Sequence, residues 1–370
     1  MAAVIKLKRG TSTPSTSDIA SGEVAVDTSA QKLYINDSGT VKEIGGGGGG
    51  GVTSDTYRNT IGGTNAGDSL DGDSATIDNT FFGYDAGTDI TDGTKNTFIG
   101  SYAGSNTNSG TYLNTFIGYQ AGVNNGNGHQ NTGIGYNALA QNEAWSNVVV
   151  GNNSGEDNTT GTMNVFLGRS AAMNNTTGSD NIAIGYEALK ANTTGSDTVA
   201  IGYEAHKSGS DKSRNVAIGH GVLSQGAGNW NVAIGWEACK WQTGQQNVAL
   251  GIQALHYGST CNYNTAVGAW AMNGNSGSPS SGDNNTALGF ESLKAYDTAS
   301  NSVAIGYQAL KSNVTIGNQT AIGYQASYSH NGTSIEPNTT VGYQAGYSGT
   351  TSERLTAVGH QAAYSITTAS

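Results

Sequence analysis

A five-residue phrase, Asn-(Thr/Val/Ile)-Ala-Ile-Gly in its commonest form, returns about every 17 residues from Asn79 nearly to the end of the 370-residue chain. One copy of so short a unit buries too little surface to offset its own chain entropy. Copies must therefore stack and share a continuous core. The period confines the chain to a column of near-identical coils.

The anchor of each copy is a glycine after a short apolar run: Gly83, Gly100, Gly118, Gly135, Gly151, Gly168, Gly185, Gly202, Gly219, Gly235, Gly251, Gly268, Gly289, Gly306, Gly323, Gly342 and Gly359. The spacing is mostly 16 to 18 residues and stretches before Gly289 and before Gly342. Four residues ahead of the glycine stands an asparagine, as at Asn96, Asn181, Asn231, Asn264 and Asn338, with departures at Thr198, Ser302, Gln319 and Leu355.

The three residues between asparagine and glycine read as a strand. In Val232-Ala233-Ile234 and Thr265-Ala266-Val267 the first and third share one face, and the alanine takes the other, which must be crowded. Phe81, Phe98, Phe116 and Phe166 hold the middle place in early copies, which predicts a wider or differently packed start. The glycine lets the backbone turn with positive φ or approach a neighbour closely. An aromatic often follows (Tyr119, Tyr136, Tyr186, Tyr203, Trp236, Phe290, Tyr307, Tyr324, Tyr343), then Glu or Gln, then Ala or Ser; turn residues fill the rest. Asparagines so placed form a ladder of amides from coil to coil. Seventeen coils at the spacing of paired strands make a rod of about 80 Å.

Residues 1–44 form a separate β-rich module, with strands expected over Val4–Lys8, Glu23–Asp27, Lys32–Asn36 and Val41–Ile44 and a hairpin turn at Asn36-Asp37-Ser38-Gly39. Gly45–Gly51 is a glycine linker (residues 45–51), residues 52–78 lead in and cap the first coil, and residues 79–370 carry the repeats. The longer loops, Asn273–Asp283 and Tyr328–Pro337, are expected at the surface. The net charge of −11 falls on the repeats, since residues 1–44 balance, and an acidic rod is a poor nucleic-acid ligand. No apolar run approaches the roughly 20 residues that span a bilayer, and Met1 to Lys8 lacks a signal-peptide core. Cys239 and Cys261 fit no metal spacing and read as packing thiols.

Two resemblances sit on these residues. The repeats, as in Asn181-Ile182-Ala183-Ile184-Gly185 and Ser302-Val303-Ala304-Ile305-Gly306, resemble the head repeats of trimeric autotransporter adhesins over roughly residues 79–362. That likeness implies a left-handed parallel β-roll (a β-solenoid) associated as a homotrimer. The front module, with Lys8-Arg9-Gly10-Thr11, Gly22-Glu23-Val24-Ala25-Val26-Asp27-Thr28 and Lys32-Leu33-Tyr34-Ile35, resembles the N-terminal pieces of phage tail fibres and related virion appendages. It implies attachment to virion tail or adaptor proteins, or the setting of trimer register. The signal peptide, stalk and C-terminal barrel of an autotransporter are not in evidence, which favours the phage-fibre likeness.

The residues offer little chemistry. His129, His206, His220, His256, His330 and His360 do not pair at metal spacing, and His220 and His360 take the aromatic slot. Gly151-Asn152-Asn153-Ser154-Gly155 puts its serine one place late for a nucleophile elbow, and Asp68, Asp71 and Asp73 lack calcium-loop spacing. Glu187, Glu204 and Glu237 form a carboxylate row, but Gln253, Gln308, Gln325, Gln344 and Gln361 share the slot, so it reads as a hydrogen-bonding position. The aromatic row reads as rings packed on rings.

The expectation is an all-β, trimeric fibre of a bacteriophage, lying on the virion and touching a host-surface glycan or protein through many weak contacts. No catalysis, metal, cofactor, nucleic acid or membrane insertion is expected. Trp241, Trp270, Ser278, His330 and Asn331 are the candidate surface contacts. The alternatives are a scaffold fibre whose receptor reader is a separate protein, a polysaccharide depolymerase, and a monomeric glycan- or ice-binding solenoid.

Overall fold

The computed structural model describes residues 8–15, 17–20, 23–27, 32–37, 40–44, 52–70, 76–108, 110–226, 228–275, 280–330, 337–348 and 354–366. Every regular element among them is a strand. Strands β1 (Lys8–Gly10), β2 (Val24–Asp27), β3 (Lys32–Asp37) and β4 (Thr40–Ile44) form one sheet in that order; β1 and β2 run parallel, the other pairs antiparallel. Its small core is Ile19, Ala25 and Tyr34, with Val41 against it. Val4 to Leu7, Ser38, Gly39 and the glycine run fall outside the described residues.

The rest is a parallel β-solenoid of about 18 turns. Strand β5 (Thr53–Ser54) pairs antiparallel with β6 (Thr60–Gly62), and from β6 through β7 (Thr80–Phe82) to β23 (Thr356–Val358) each three-residue strand pairs in parallel with the next. Among the described residues no pair joins β23 back to β5, so the column is open at both ends and is not a closed barrel. The segment read as lead-in and cap contributes two parts to the column. The β5 strand covers the first edge, and Asn59 with β6 already makes a coil, disguised because Gly62 stands where other copies have Ile or Val.

The middle residue of nearly every strand points into the column and is fully buried, alanine from Ala183 to Ala321. The first and third residues point outward and are half-buried to exposed. Glycine at the anchor is a steric requirement. All seventeen have φ between +126° and +147°, and a Cβ on Gly235 would lie 2.4 Å from the Gly251 carbonyl oxygen in the next coil. The remaining left-handed turns recur at fixed phase and are taken by residues other than glycine in many coils, as by Ser170, Ala172 and Asp180 in one.

The start of the column is packed differently from the rest. Phe81, Phe98 and Phe116 stack at 5.1 Å per step, and each faces a glycine four places after its anchor: Gly87, Gly104 and Gly122. Where the strand carries alanine, as at Ala183, that place holds a large residue such as Leu189. A ring plus nothing and a methyl plus an isobutyl group fill similar space, so the two arrangements exchange volume between facing places.

Two amide ladders close the coils. Asn79, Asn96, Asn114 and their successors each accept the backbone N–H of the next asparagine on Oδ1, at 3.0 Å for Asn96 onto Asn79, while Nδ2 donates to a turn carbonyl. A second, internal ladder was not read from the sequence. Asn125, Asn142, Asn158, Asn175 and Asn192 lie seven places after their anchors and link Nδ2 to Oδ1 at 2.6 to 3.0 Å. Their only sequence signal is recurrence at constant phase, three times as Asn-Thr-Thr-Gly.

Candidate functional site

The surface is organised in rows along the column. The broadest is the outward strand face, where Ile, Val, Leu and Thr repeat in register from β7 to β23; Ile234 is 39% exposed and Val358 68% exposed. A continuous apolar strip of this length is unusual on a monomeric surface.

Beside it runs the aromatic row. Phe290, Tyr307, Tyr324, Tyr343 and His360 stack successively at 5.1 to 5.4 Å with planes within 7°. His220 stacks on Tyr203 in the same way. A second row, Tyr328, Tyr347 and Tyr364, repeats the arrangement. The faces of these rings cover one another, so mainly their edges meet solvent.

The polar row is a hydrogen-bond ladder. Gln308 donates to Glu291, Gln325 to Gln308, Gln344 to Gln325 and Gln361 to Gln344, at 2.7 to 3.1 Å. The glutamates here are paired with lysines five places after the anchor. Lys190 and Lys207 both reach Glu187 and hold its carboxyl down at about 2. Burial pushes Glu291 up, but Lys294, Lys311 and Gln308 outweigh it and bring it to about 2.

The candidate contacts fare unequally. Trp241 is 47% exposed and, among the described residues, stacks on no other ring. Trp270 is corrected: it belongs to the aromatic row. Ala269 leaves the slot empty, and the indole of Trp270 fills it edge-on to Phe290 at 5.2 Å, its N–H donating to Gln253 at 2.9 Å. Tyr102 does the same beside Ser101. His330 is also corrected: it is 3% exposed and its Nε2 faces the Asn338 amide at 3.3 Å inside the coil. Ser278 and Asn331 lie outside the described residues, as do Asp71 and Asp73.

Among the described residues no three His, Cys, Asp or Glu side chains group as a metal site, and no helix is long and apolar enough to cross a membrane. Cys239 and Cys261 are free and buried, and burial pushes both thiols up. His206 is fully buried; it lies four places after Gly202, and its ring takes the place of the internal amide where Gly209 supplies none. Its Nε2 meets Asn215 Nδ2 at 3.1 Å. Burial lowers it to about 4, so it is a neutral acceptor.

The chain matches no family model, no curated protein and no solved structure.

Proposed function

We propose that the chain is one of three in a left-handed, homotrimeric fibre of a bacteriophage, held to the virion through residues 1–44 and touching the host surface along its column. The observation that carries the trimer is the outward strand face. Its Ile and Val residues are in register over the whole column, and each chain leaves them uncovered. Burying such a strip stabilises by about 25 cal/mol per Å², and a rod presents the same strip in every coil, which suits parallel copies. The virion reading rests on the likeness of the N-terminal residues.

One feature supports a binding rather than catalytic role. Glu187 and Glu291 are held low, opposite to the raised carboxyl a glycosidase acid needs. The stacked rings leave few open faces, and contacts are weak and repeated, so avidity supplies the affinity. The covered ring faces also favour the scaffold alternative, in which a separate protein reads the receptor.

Native mass decides the assembly: three times the 37.7 kDa chain mass is expected. Ile234→Glu, on the exposed strip, lowers that mass while leaving the β signature in circular dichroism. A wild-type monomer overturns the trimer. Failure of the trimeric protein to bind whole host cells overturns adhesion and leaves the scaffold.

A further inference from the structure

Glutamates of the polar row are neutralised from the lysine row beside it. Glu187, Glu204, Glu237 and Glu291, two places after their anchors, each have a lysine Nζ at 2.5 to 3.0 Å. Glu156 breaks the pattern. It stands five places after Gly151, in the lysine column, and the polar slots beside it hold the neutral Asn137 and Asn153. Among the described residues no cation pairs with Glu156. One oxygen accepts from Asn137 Nδ2 at 3.3 Å; the other, Oε2, is buried without a hydrogen-bond donor, and so are Asn137 Oδ1 and Asn153 Oδ1.

Three buried oxygens without donors around one uncompensated carboxylate make an unfavourable arrangement for the chain alone. A lysine relieves the carboxylate at Glu187, Glu204, Glu237 and Glu291. Among the described residues no lysine or arginine does so here, and the unsatisfied atoms are all acceptors. We propose that Glu156, Asn137 and Asn153 hold a hard cation, Ca2+ being the ion whose oxygen-only, irregular coordination they match. Glu156 Oε2 is the charged ligand and the two amide oxygens are neutral ligands. Turning the Asn137 amide about its terminal bond exchanges its nitrogen and oxygen and brings Oδ1 toward the carboxylate. Asp157 adds a second negative charge next in the chain. Burial, then Asp157, push the Glu156 carboxyl above its ordinary range, while the Asn137 and Asn153 amides pull it down.

Terbium luminescence tests this, since Tyr136 adjoins Asn137 and tyrosine sensitises the ion. Chelator-treated full-length protein is titrated with Tb3+ and then with CaCl2. Saturable binding at one ion per chain, displaced by Ca2+, lost in Glu156→Gln and kept in the lysine-paired control Glu204→Gln, is the expected result. Circular dichroism establishes that both variants keep the β fold. Absence of saturable binding, or equal binding by Glu156→Gln, overturns the site.

Discussion

Gly104 lies so close to the ring of Phe98 that a Cβ on it would sit 2.5 Å from a ring carbon. The same two places hold Ala183 and Leu189 further along the column, and Leu189 has φ of +56° against +58° for Gly104. Backbone conformation is therefore shared, and only the distribution of volume differs. Phe98→Ala is expected to cost about 3–5 kcal/mol from the cavity it leaves. Gly104→Leu alone destabilises by overpacking, and the double variant recovers most of the loss. Denaturant midpoints in a double-mutant cycle measure the coupling.

Asn181 satisfies two backbone groups of the next coil. Its Oδ1 accepts the Thr198 N–H at 3.0 Å and its Nδ2 donates to the Gly195 carbonyl at 2.8 Å. Asn181→Ala leaves both buried and unpaired, at about 1–3 kcal/mol each. Asn181→Thr is expected to lose less, since Thr198 serves in the same slot one coil on. Equal losses from the two variants would remove the amide ladder as the cause.

Anchor glycines should differ by position. Gly235→Ala meets the Gly251 carbonyl and also needs φ of +135°, so the expected loss is above about 4 kcal/mol. Gly359 has φ of +126° but nothing within 4 Å of its missing Cβ. Gly359→Ala then carries only backbone strain, about 1–3 kcal/mol. Melting temperatures of the two variants separate steric from conformational cost.

Stability should fall in mild acid. His206 titrates at about 4 in the folded chain against 6.5 unfolded, so the unfolded chain binds the proton first as pH drops. Its contribution is intact above pH 6.5, shrinks as pH falls toward 4 and is gone below, about 3 kcal/mol in all. Glu187 and Glu291, at about 2 against 4.5, lose their contributions only as pH falls from 4.5 through 2. Chemical denaturation of His206→Leu between pH 6.5 and 4.5 should show a flatter profile than wild type, with His129 and His256, both lowered chiefly by burial, accounting for what slope remains.

The sequence by itself determined the coil. Glycine at fixed period, β-branched residues two apart and asparagine four places ahead are local requirements of one turn, and local requirements are written in each copy. It also determined that the Glu/Gln slot hydrogen-bonds, because only a row of equivalent partners tolerates that exchange. What tertiary structure alone decided is what lies between coils or across one. The alanine face became the interior and the Ile/Val face the exterior because the turns reverse the chain through left-handed residues such as Ser170 and Ala172, whose identities carry no turn signal. Phe98 found its compensation in Gly104, six residues on, and His206 replaced an amide missing at Gly209. Trp270, out of phase in sequence, entered the aromatic row because Ala269 left room for its ring. Each of these is set by volume and hydrogen bonds shared between neighbouring residues, which appear only when the coils are stacked.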